Sequence, residues 1–331
     1  MKVLVIGLGS MGTRRIRNLQ ALEIQTIAGF DIREDRRSAA AARYGITVYS
    51  DWIDALEDYR PDALVISTSP EHHMTYAWPA AERNTPCFIE ASVVDADRIL
   101  ALHKRIEGTT LVMAPSCTMR FYPGPMKVKE LLQANTIGRV LNVNYQTGQY
   151  LPDWHPWERI EDYYVSKRET GGGREIVPFE LTWLNDIFGQ PEPLACVKGT
   201  LSDIPADIDD VYHCILRYPG NVILNMTVEV ISRPHATREL RVLGSEGEIV
   251  FSADENCVRF ASSESPDWKR FDLGKGTVEK GYINPEEPYI IEMRCFLEAV
   301  RKSDQSLFPN SLYDDYLVLR ALQQLEKISG A

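Results

Sequence analysis

Three glycines, Gly7, Gly9 and Gly12, follow the apolar run Val3-Leu4-Val5-Ile6 at the start of the chain, and nothing else in the sequence constrains the fold as strongly. Four aliphatic, mostly β-branched residues in a row have the composition of a strand buried on both faces. An apolar-periodic helix follows, with Met11, Ile16, Leu19 and Leu22 as its inner face. The G-x-G-x-x-G spacing alone is a weak signal; the order strand, glycines, helix is the informative part. The first glycine permits a tight turn, the second lets backbone approach a pyrophosphate, and the third lets helix and strand pack closely. A pyrophosphate would lie at the helix N-terminus, where free N–H groups and the helix dipole favour negative charge.

A second strand, spanning 25–30, ends in Asp31, 24 positions after Gly7. A carboxylate there accepts hydrogen bonds from both ribose hydroxyls of an adenosine, which favours NAD over NADP. Arg33 lies two residues on and could pair with a 2′-phosphate, so NADP stays open. The bland alternative is an ordinary βαβ turn in which Asp31 caps the next helix.

With 331 residues the chain is long enough for two domains. A net charge of −11 argues against a nucleic-acid or anionic-membrane surface. Six scattered cysteines without a C-x-x-C pair suggest reduced thiols in a cytoplasmic protein, with neither a disulfide framework nor a zinc site. The apolar start is too short for a signal peptide, and no stretch approaches the roughly 20 apolar residues of a membrane span.

After Asp31, helix and strand signals alternate regularly. Residues 34–44 read as a helix stopped by Gly45, 47–49 as a strand, and Ser50-Asp51 as the cap of a helix to Tyr59. Strands at 63–66, 86–90 and 110–114 are separated by helices to about 83 and over 95–107. This is an α/β Rossmann domain with a doubly wound parallel sheet, assigned to 1–118. The strand at 63–66 ends in Ser67-Thr68-Ser69-Pro70-Glu71-His72-His73, at the sheet edge where ligands bind. The expected cofactor contacts are therefore Gly7, Gly9, Ser10, Met11, Gly12, Asp31, Arg33, Thr68, Ser69, Pro70, His73, Glu90 and Ala91. Metal binding by His72 and His73 is not expected, because adjacent helical side chains diverge.

From Met119 the texture changes. A helix to about Ala134 precedes strands at 138–146, 195–201, 211–218, 222–231, 238–243, 247–251 and 257–260, with turn signals such as Pro219-Gly220-Asn221 between them. The expectation is an antiparallel meander, then helices at about 287–302 and 312–328. The second domain, at 119–331, is α+β with a large, mostly antiparallel open sheet, serving substrate binding and oligomerisation.

Several motifs together resemble the Gfo/Idh/MocA (glucose–fructose oxidoreductase / inositol dehydrogenase) family: Gly7-Leu-Gly-Ser-Met-Gly12, Thr68-Ser-Pro-Glu-His-His73, Arg120-Phe-Tyr-Pro123, Ile137-Gly138, and Gly171-Gly172-Gly173 with a helix to Phe188-Gly189. Trp154-His155-Pro156-Trp157-Glu158 resembles a branch connected to sugar and amino-sugar metabolism. The resemblance implies NAD or NADP chemistry on a hydroxyl or carbonyl of a sugar or cyclitol. It also implies an open sheet that often makes the oligomer interface, here a homodimer or homotetramer. The family usually carries Glu-Lys-Pro where this chain has Glu90-Ala91-Ser92, and a helix histidine where this chain has Phe179 or Glu180. Both usual catalytic groups are thus missing.

Hydride transfer at an alcohol needs a group that takes the hydroxyl proton near neutral pH. The candidates are His155, Lys167, Glu175 and Glu180. Glu180 has a competing role: Pro178 suits a first helical turn, which would put Glu180 near the third position as a cap. Trp154, Tyr163 and Tyr164 sit in a loop rich in aromatics and donors, as a sugar-binding loop or lid would be, or as a core segment would be. Arg120 clamps an anionic substrate group or pairs with a carboxylate. The resulting reading is an NAD(P)-dependent oxidoreductase acting on a sugar, amino-sugar or cyclitol derivative with a non-standard catalytic set. The alternatives are a redox-neutral enzyme with retained NAD and a dinucleotide-binding pseudoenzyme or sensor.

Overall fold

The computed structural model describes residues 1–154 and 159–330. In chain order the first strands and helices are β1 (Val3–Ile6), α1 (Ser10–Ala21), β2 (Ile27–Phe30), α2 (Glu34–Tyr44), β3 (Thr47–Tyr49), α3 (Trp52–Asp54), β4 (Ala63–Ile66), α4 (His73–Glu82), β5 (Cys87–Ile89), α5 (Ala96–Ile106) and β6 (Met113–Pro115). Then come α6 (Pro123–Gln133), β7 (Val140–Gly148), α7 (Gly173–Phe188), β8 (Glu192–Gly199), β9 (Val211–Tyr218), β10 (Val222–Glu229), β11 (Thr237–Gly244), β12 (Gly247–Ser252), β13 (Cys257–Ser262) and β14 (Lys269–Asp272). Two long helices close the chain, α8 (Glu287–Lys302) and α9 (Leu312–Ser329).

The chain divides into two compact units. The first comprises Met1–Thr118 and Glu286–Tyr316, the second Met119–Pro285 and Leu317–Ala331. The sequence had suggested one uninterrupted second domain, yet 286–316 packs with the first unit. Phe88 of β5 explains this, since its ring meets Phe296 of α8 edge-on at 5.8 Å and Phe308 at 6.2 Å.

In the first unit six parallel strands run in the order β3-β2-β1-β4-β5-β6. The order reverses beside β1, which pairs in parallel with both β2 and β4. Such a switch point is where doubly wound sheets bind ligands. All residues of β1, β2 and β4 are buried, as expected of strands covered by helices on both faces.

In the second unit eight strands form one sheet in the order β14-β13-β12-β11-β7-β10-β9-β8. It is not a simple meander. β7 and β10 pair in parallel, Asn144 opposite Asn225, while the other neighbours are antiparallel. The reason is the long connection carrying α7, β8 and β9, which returns β10 beside β7 in the same direction. Helices α6 and α7 pack on one face. Along β9, Tyr212, Cys214, Leu216 and Tyr218 are buried while His213, Ile215 and Arg217 are exposed, so the opposite face is open.

Helix α7 begins earlier than the proline suggested. It starts at Gly173, so Pro178 lies inside it and Glu180 in its second turn, not at a capping position. The triple glycine sets this start. A Cβ at Gly171 would lie 2.0 Å from the Val165 carbonyl oxygen, and Gly172 has φ +63° with the Asp209 carbonyl 2.8 Å from its would-be Cβ. Only glycine lets the chain pass so close to both backbones.

Candidate functional site

The glycine turn of the first unit has the form its spacing implies. Gly7 sits at φ +88°, and a Cβ there would lie 2.7 Å from the Ser67 carbonyl oxygen. A Cβ at Gly12 would lie 1.8 Å from the Gly7 carbonyl oxygen, so helix and turn touch backbone to backbone. Gly9 precedes α1 without any side-chain cap, which leaves the amides from Ser10 onward aimed at the turn. Met11 is half-buried beside them.

Asp31 ends β2 and is 5% exposed. Its Oδ2 accepts from the Leu8 amide at 2.8 Å and its Oδ1 from the Arg33 amide at 2.8 Å. Each oxygen keeps a lone pair for a further donor such as a ribose hydroxyl. The Arg33 side chain lies along its own helix start. Its guanidinium forks onto Asp35 at 3.1 and 2.6 Å, a neighbour two residues on, and this holds the exposed Asp35 carboxyl down at about 2. Arg36 is a cation at the turn. Its Nη1 lies 3.8 Å from Asp31 Oδ2 and 3.3 Å from the would-be Cβ of Gly9. Sequence reasoning missed it, although a helix starting at Glu34 carries Arg36 in its first turn, back toward the end of β2.

After β4, the Thr68 hydroxyl is enclosed without a partner among the described residues. His73 is fully buried, and its Nε2 donates to the Thr68 carbonyl at 3.0 Å. Burial pulls its pKa down and keeps the ring neutral, so His73 acts by holding the Thr68-Ser69-Pro70 turn. The close backbone cradle, the uncapped helix and the orphan hydroxyl together suit a dinucleotide, with Gly7, Gly9, Ser10, Met11, Gly12, Asp31, Thr68 and Ser69 as its holders. The Glu90 side chain departs from the expected contact: both its oxygens accept from Arg15, at 2.7 and 2.9 Å, beneath the turn it shares with Ala91.

In the second unit the aromatic loop has its own small core. Trp154, Tyr163 and Tyr164 are partly buried against Leu151, Ile160, Val165, Ile208 and Val230. Trp154 Nε1 finds no acceptor among the described residues. Lys167 is exposed, and its backbone bridges to Asp207. His155 lies outside the described residues. Arg120 does not project as an anion clamp. It donates to the Thr182 carbonyl at 3.1 Å and lies 3.7 Å from Asp186, with its side chain 10% exposed.

The two glutamates of α7 separate cleanly. Glu180 is fully buried among three donors: Tyr145 at 2.5 Å, Trp183 Nε1 at 2.7 Å and Arg238 at 2.6 Å. Burial works against the charge of Arg238, but Glu180 and Tyr145 outweigh it and hold its pKa up. Glu180 is therefore a counter-ion locked into packing. Glu175, in the first turn, has one hydrogen-bond partner among the described residues: the Tyr164 hydroxyl donates to Oε1 at 2.6 Å. Its Oε2 is enclosed with no partner among the described residues. Burial pushes this carboxyl up to about 7, against the pull of Tyr164. A half-hidden carboxylate titrating near neutrality with one open oxygen is the arrangement expected of a general acid–base. No group of three or more His, Cys, Asp or Glu side chains that could hold a metal gathers among the described residues. Nor is any described helix long and apolar enough to cross a membrane.

The chain resembles myo-inositol 2-dehydrogenase of Thermotoga maritima, 27% identical over 145 residues, which are 42% of each chain. It is 32% identical over 147 residues to inositol 2-dehydrogenase 1 of Saccharopolyspora erythraea, covering 42% of this chain and 43% of that one. The matches thus span about two fifths of the length of these curated relatives. Among solved structures, levoglucosan dehydrogenase with NADH and levoglucosan superposes at a TM-score of 0.85 and 17% identity, covering 100% of this chain and 97% of that one. UDP-N-acetylglucosamine 3-dehydrogenase of Acidithiobacillus ferrooxidans does so at 0.76 and 19%, covering 99% and 97%. These likenesses show a shared fold. The model of an oxidoreductase family with an NAD-binding Rossmann fold matches 1–112, and that of the GFO/IDH/MocA C-terminal domain matches 126–250, so the chain belongs to the Gfo/Idh/MocA oxidoreductase family.

Proposed function

We propose that the protein is an NAD-dependent dehydrogenase or reductase of a sugar, amino-sugar or cyclitol derivative, with Glu175 as its acid–base group. The observation that carries this reading is the Glu175 carboxyl, pushed up to about 7 with Oε2 unpartnered among the described residues. When bound, a nicotinamide supplies the hydride acceptor or donor. Glu175 then takes the hydroxyl proton during oxidation, or returns it during reduction. Tyr164 orients the carboxylate through its 2.6 Å hydrogen bond and moderates its basicity. The catalytic set is non-standard: Ala91 stands where the family has its lysine, and Glu180, one of the two positions matching the family histidine, is bound to Arg238. The inositol and levoglucosan specificity of the relatives supports a polyhydroxylated ring as substrate, with Trp154 and Tyr163 as its stacking faces.

The test is turnover of a panel of inositols, anhydrosugars and nucleotide-linked sugars with NAD and NADP, read by absorbance of the reduced nicotinamide. Turnover that Glu175→Gln abolishes supports the reading. NADH binding without turnover across the panel favours a sensor, and a copurifying, non-exchanging cofactor favours the redox-neutral form.

A second copy of the chain is the expected partner, on the open face of the sheet. On that face the parallel pair β7 and β10 presents uncharged Asn144, Gln146, Asn225 and Thr227, bordered by Glu239 and Arg241 of β11, with Val197 and Ile215 exposed to 69% and 41%. A strip without charge bordered by exposed apolar and charged side chains fits an interface core with a polar rim. Sedimentation gives the state directly, and a monomer at micromolar concentration would refute it.

A further inference from the structure

The guanidinium of Arg15, three residues past Gly12, is completely buried and stands between two carboxylates. Its Nε and Nη2 fork onto Glu90 at 2.7 and 2.9 Å, and its Nη1 lies 3.0 Å from Glu292 Oε2. Glu90 also accepts from the Ser67 hydroxyl at 3.2 Å. Glu292, on α8, accepts from the Ser116 hydroxyl at 3.0 Å, the Cys117 amide at 2.6 Å and the Thr118 hydroxyl at 2.7 Å. The ring of Phe88 lies 4.4 Å below the guanidinium. Ser67, Glu90 and Ser116 directly follow β4, β5 and β6. One cation therefore ties the C-terminal ends of three neighbouring strands to the helix that opens at the glycine turn.

Those three ends are half of the nucleotide site. Asp31 reads the adenosine ribose at the end of β2, on one side of β1, so the remainder of a dinucleotide extends over β4, β5 and β6 on the other. The turn Glu90-Ala91-Ser92 lies at that end, and the Ala91 methyl offers it no hydrogen bond to a ligand. The position of the turn is set from beneath, by the planar fork of an arginine.

We propose that Arg15 is a positioning residue, acting through Glu90 and Glu292 to couple the pyrophosphate end of the site to its nicotinamide end. This rests on the dinucleotide reading of the glycine turn. It explains why a fully buried arginine occupies α1. Lysine has a point charge and cannot fork onto Glu90 while also reaching Glu292.

Calorimetry of Arg15→Lys with two probes tests this. ADP-ribose reports the pyrophosphate and ribose end alone, and NADH reports both ends. The expected result is an ADP-ribose Kd within about twofold of wild type and an NADH Kd raised about tenfold, within the usual size of a coupling between sites. Glu292→Gln keeps the shape of its side chain and removes the charge, and it is expected to widen the same ratio. Should Arg15→Lys fail to fold, Glu292→Gln decides. An unchanged ratio of the two Kd values in a folded variant, with only the melting temperature lowered, would overturn the proposal by making Arg15 mere packing. Wild-type protein that binds neither probe would defeat the dinucleotide reading itself, a separate failure.

Discussion

The Tyr164 hydroxyl lies 2.6 Å from Glu175 Oε1, and it is the one partner described for a carboxyl raised to about 7. The pair joins the aromatic loop to the first turn of α7, so the proposed acid–base group is held from two segments that flank the triple glycine.

Replacing Glu175 by Gln is expected to lower kcat about 100-fold or more, the usual contribution of a positioned general acid–base. The NADH dissociation constant should stay within about twofold, since binding at the glycine turn does not depend on this carboxyl. Stopped-flow turnover beside calorimetry separates the two. Equal loss in both would remove Glu175 from the chemistry.

Stability carries the same signature with a definite sign. The folded-state pKa of Glu175, about 7, is above its ordinary value of 4.5, so the native state binds the extra proton between those values. Stability therefore falls as pH rises from about 4.5 through 7, and the full cost is present above 7. Glu175→Gln should melt higher than wild type at pH 8 and close to it at pH 5. Parallel melting curves at both pH values would contradict the burial.

Tyr164→Phe removes the donor that holds the Glu175 carboxyl down. A hydrogen bond to a charged group contributes about 1.5 kcal/mol or more, so the acid limb of the kcat/KM profile should move up by about one pH unit. An unmoved limb would assign the profile to another group.

Asp31→Asn keeps an acceptor for the Leu8 amide and discards the charge. NADH binding is expected to weaken about fivefold, the loss of one charge-assisted hydrogen bond, while NADPH binding tightens as repulsion of its 2′-phosphate ends and Arg36 remains nearby. Titration with both reduced cofactors checks this. A gain for NADH would refute the assignment of Asp31.

Glu180→Ala leaves Arg238 as an uncompensated, largely buried cation and strips an acceptor from Tyr145 and Trp183. Loss of about 3 kcal/mol of stability is expected from breaking such a pair. Chemical denaturation measures it. A fully stable variant with abolished turnover would return Glu180 to the chemistry.

The parts of this protein legible in its sequence are those governed by local rules. Val3–Ile6, the glycines and the stop at Gly45 follow from strand composition and backbone freedom, and neighbours along the chain decide them. Glu175 was nameable because it follows the triple glycine, but its raised pKa depends on enclosure that no spacing reveals. Long-range pairings were not readable. Arg15 looks like a solvated helix residue until Glu292, 277 positions later, is beside it. The parallel pairing of β7 with β10 depends on how a long connection returns, and the fork of Arg33 onto Asp35 leaves no trace in motif spacing.

The first unit is completed by residues 286–316, and this bears on how the protein is born. A ribosome that has released only the first 118 residues has made all six strands of the parallel sheet but neither Glu286, which holds the Arg14 guanidinium, nor Glu292, half the complement of Arg15. The nascent unit must wait for these two carboxylates until more than four fifths of the chain has been translated. A recombinant fragment cut after residue 118 inherits the same deficit permanently, and a viable excision must splice the distant helix back on.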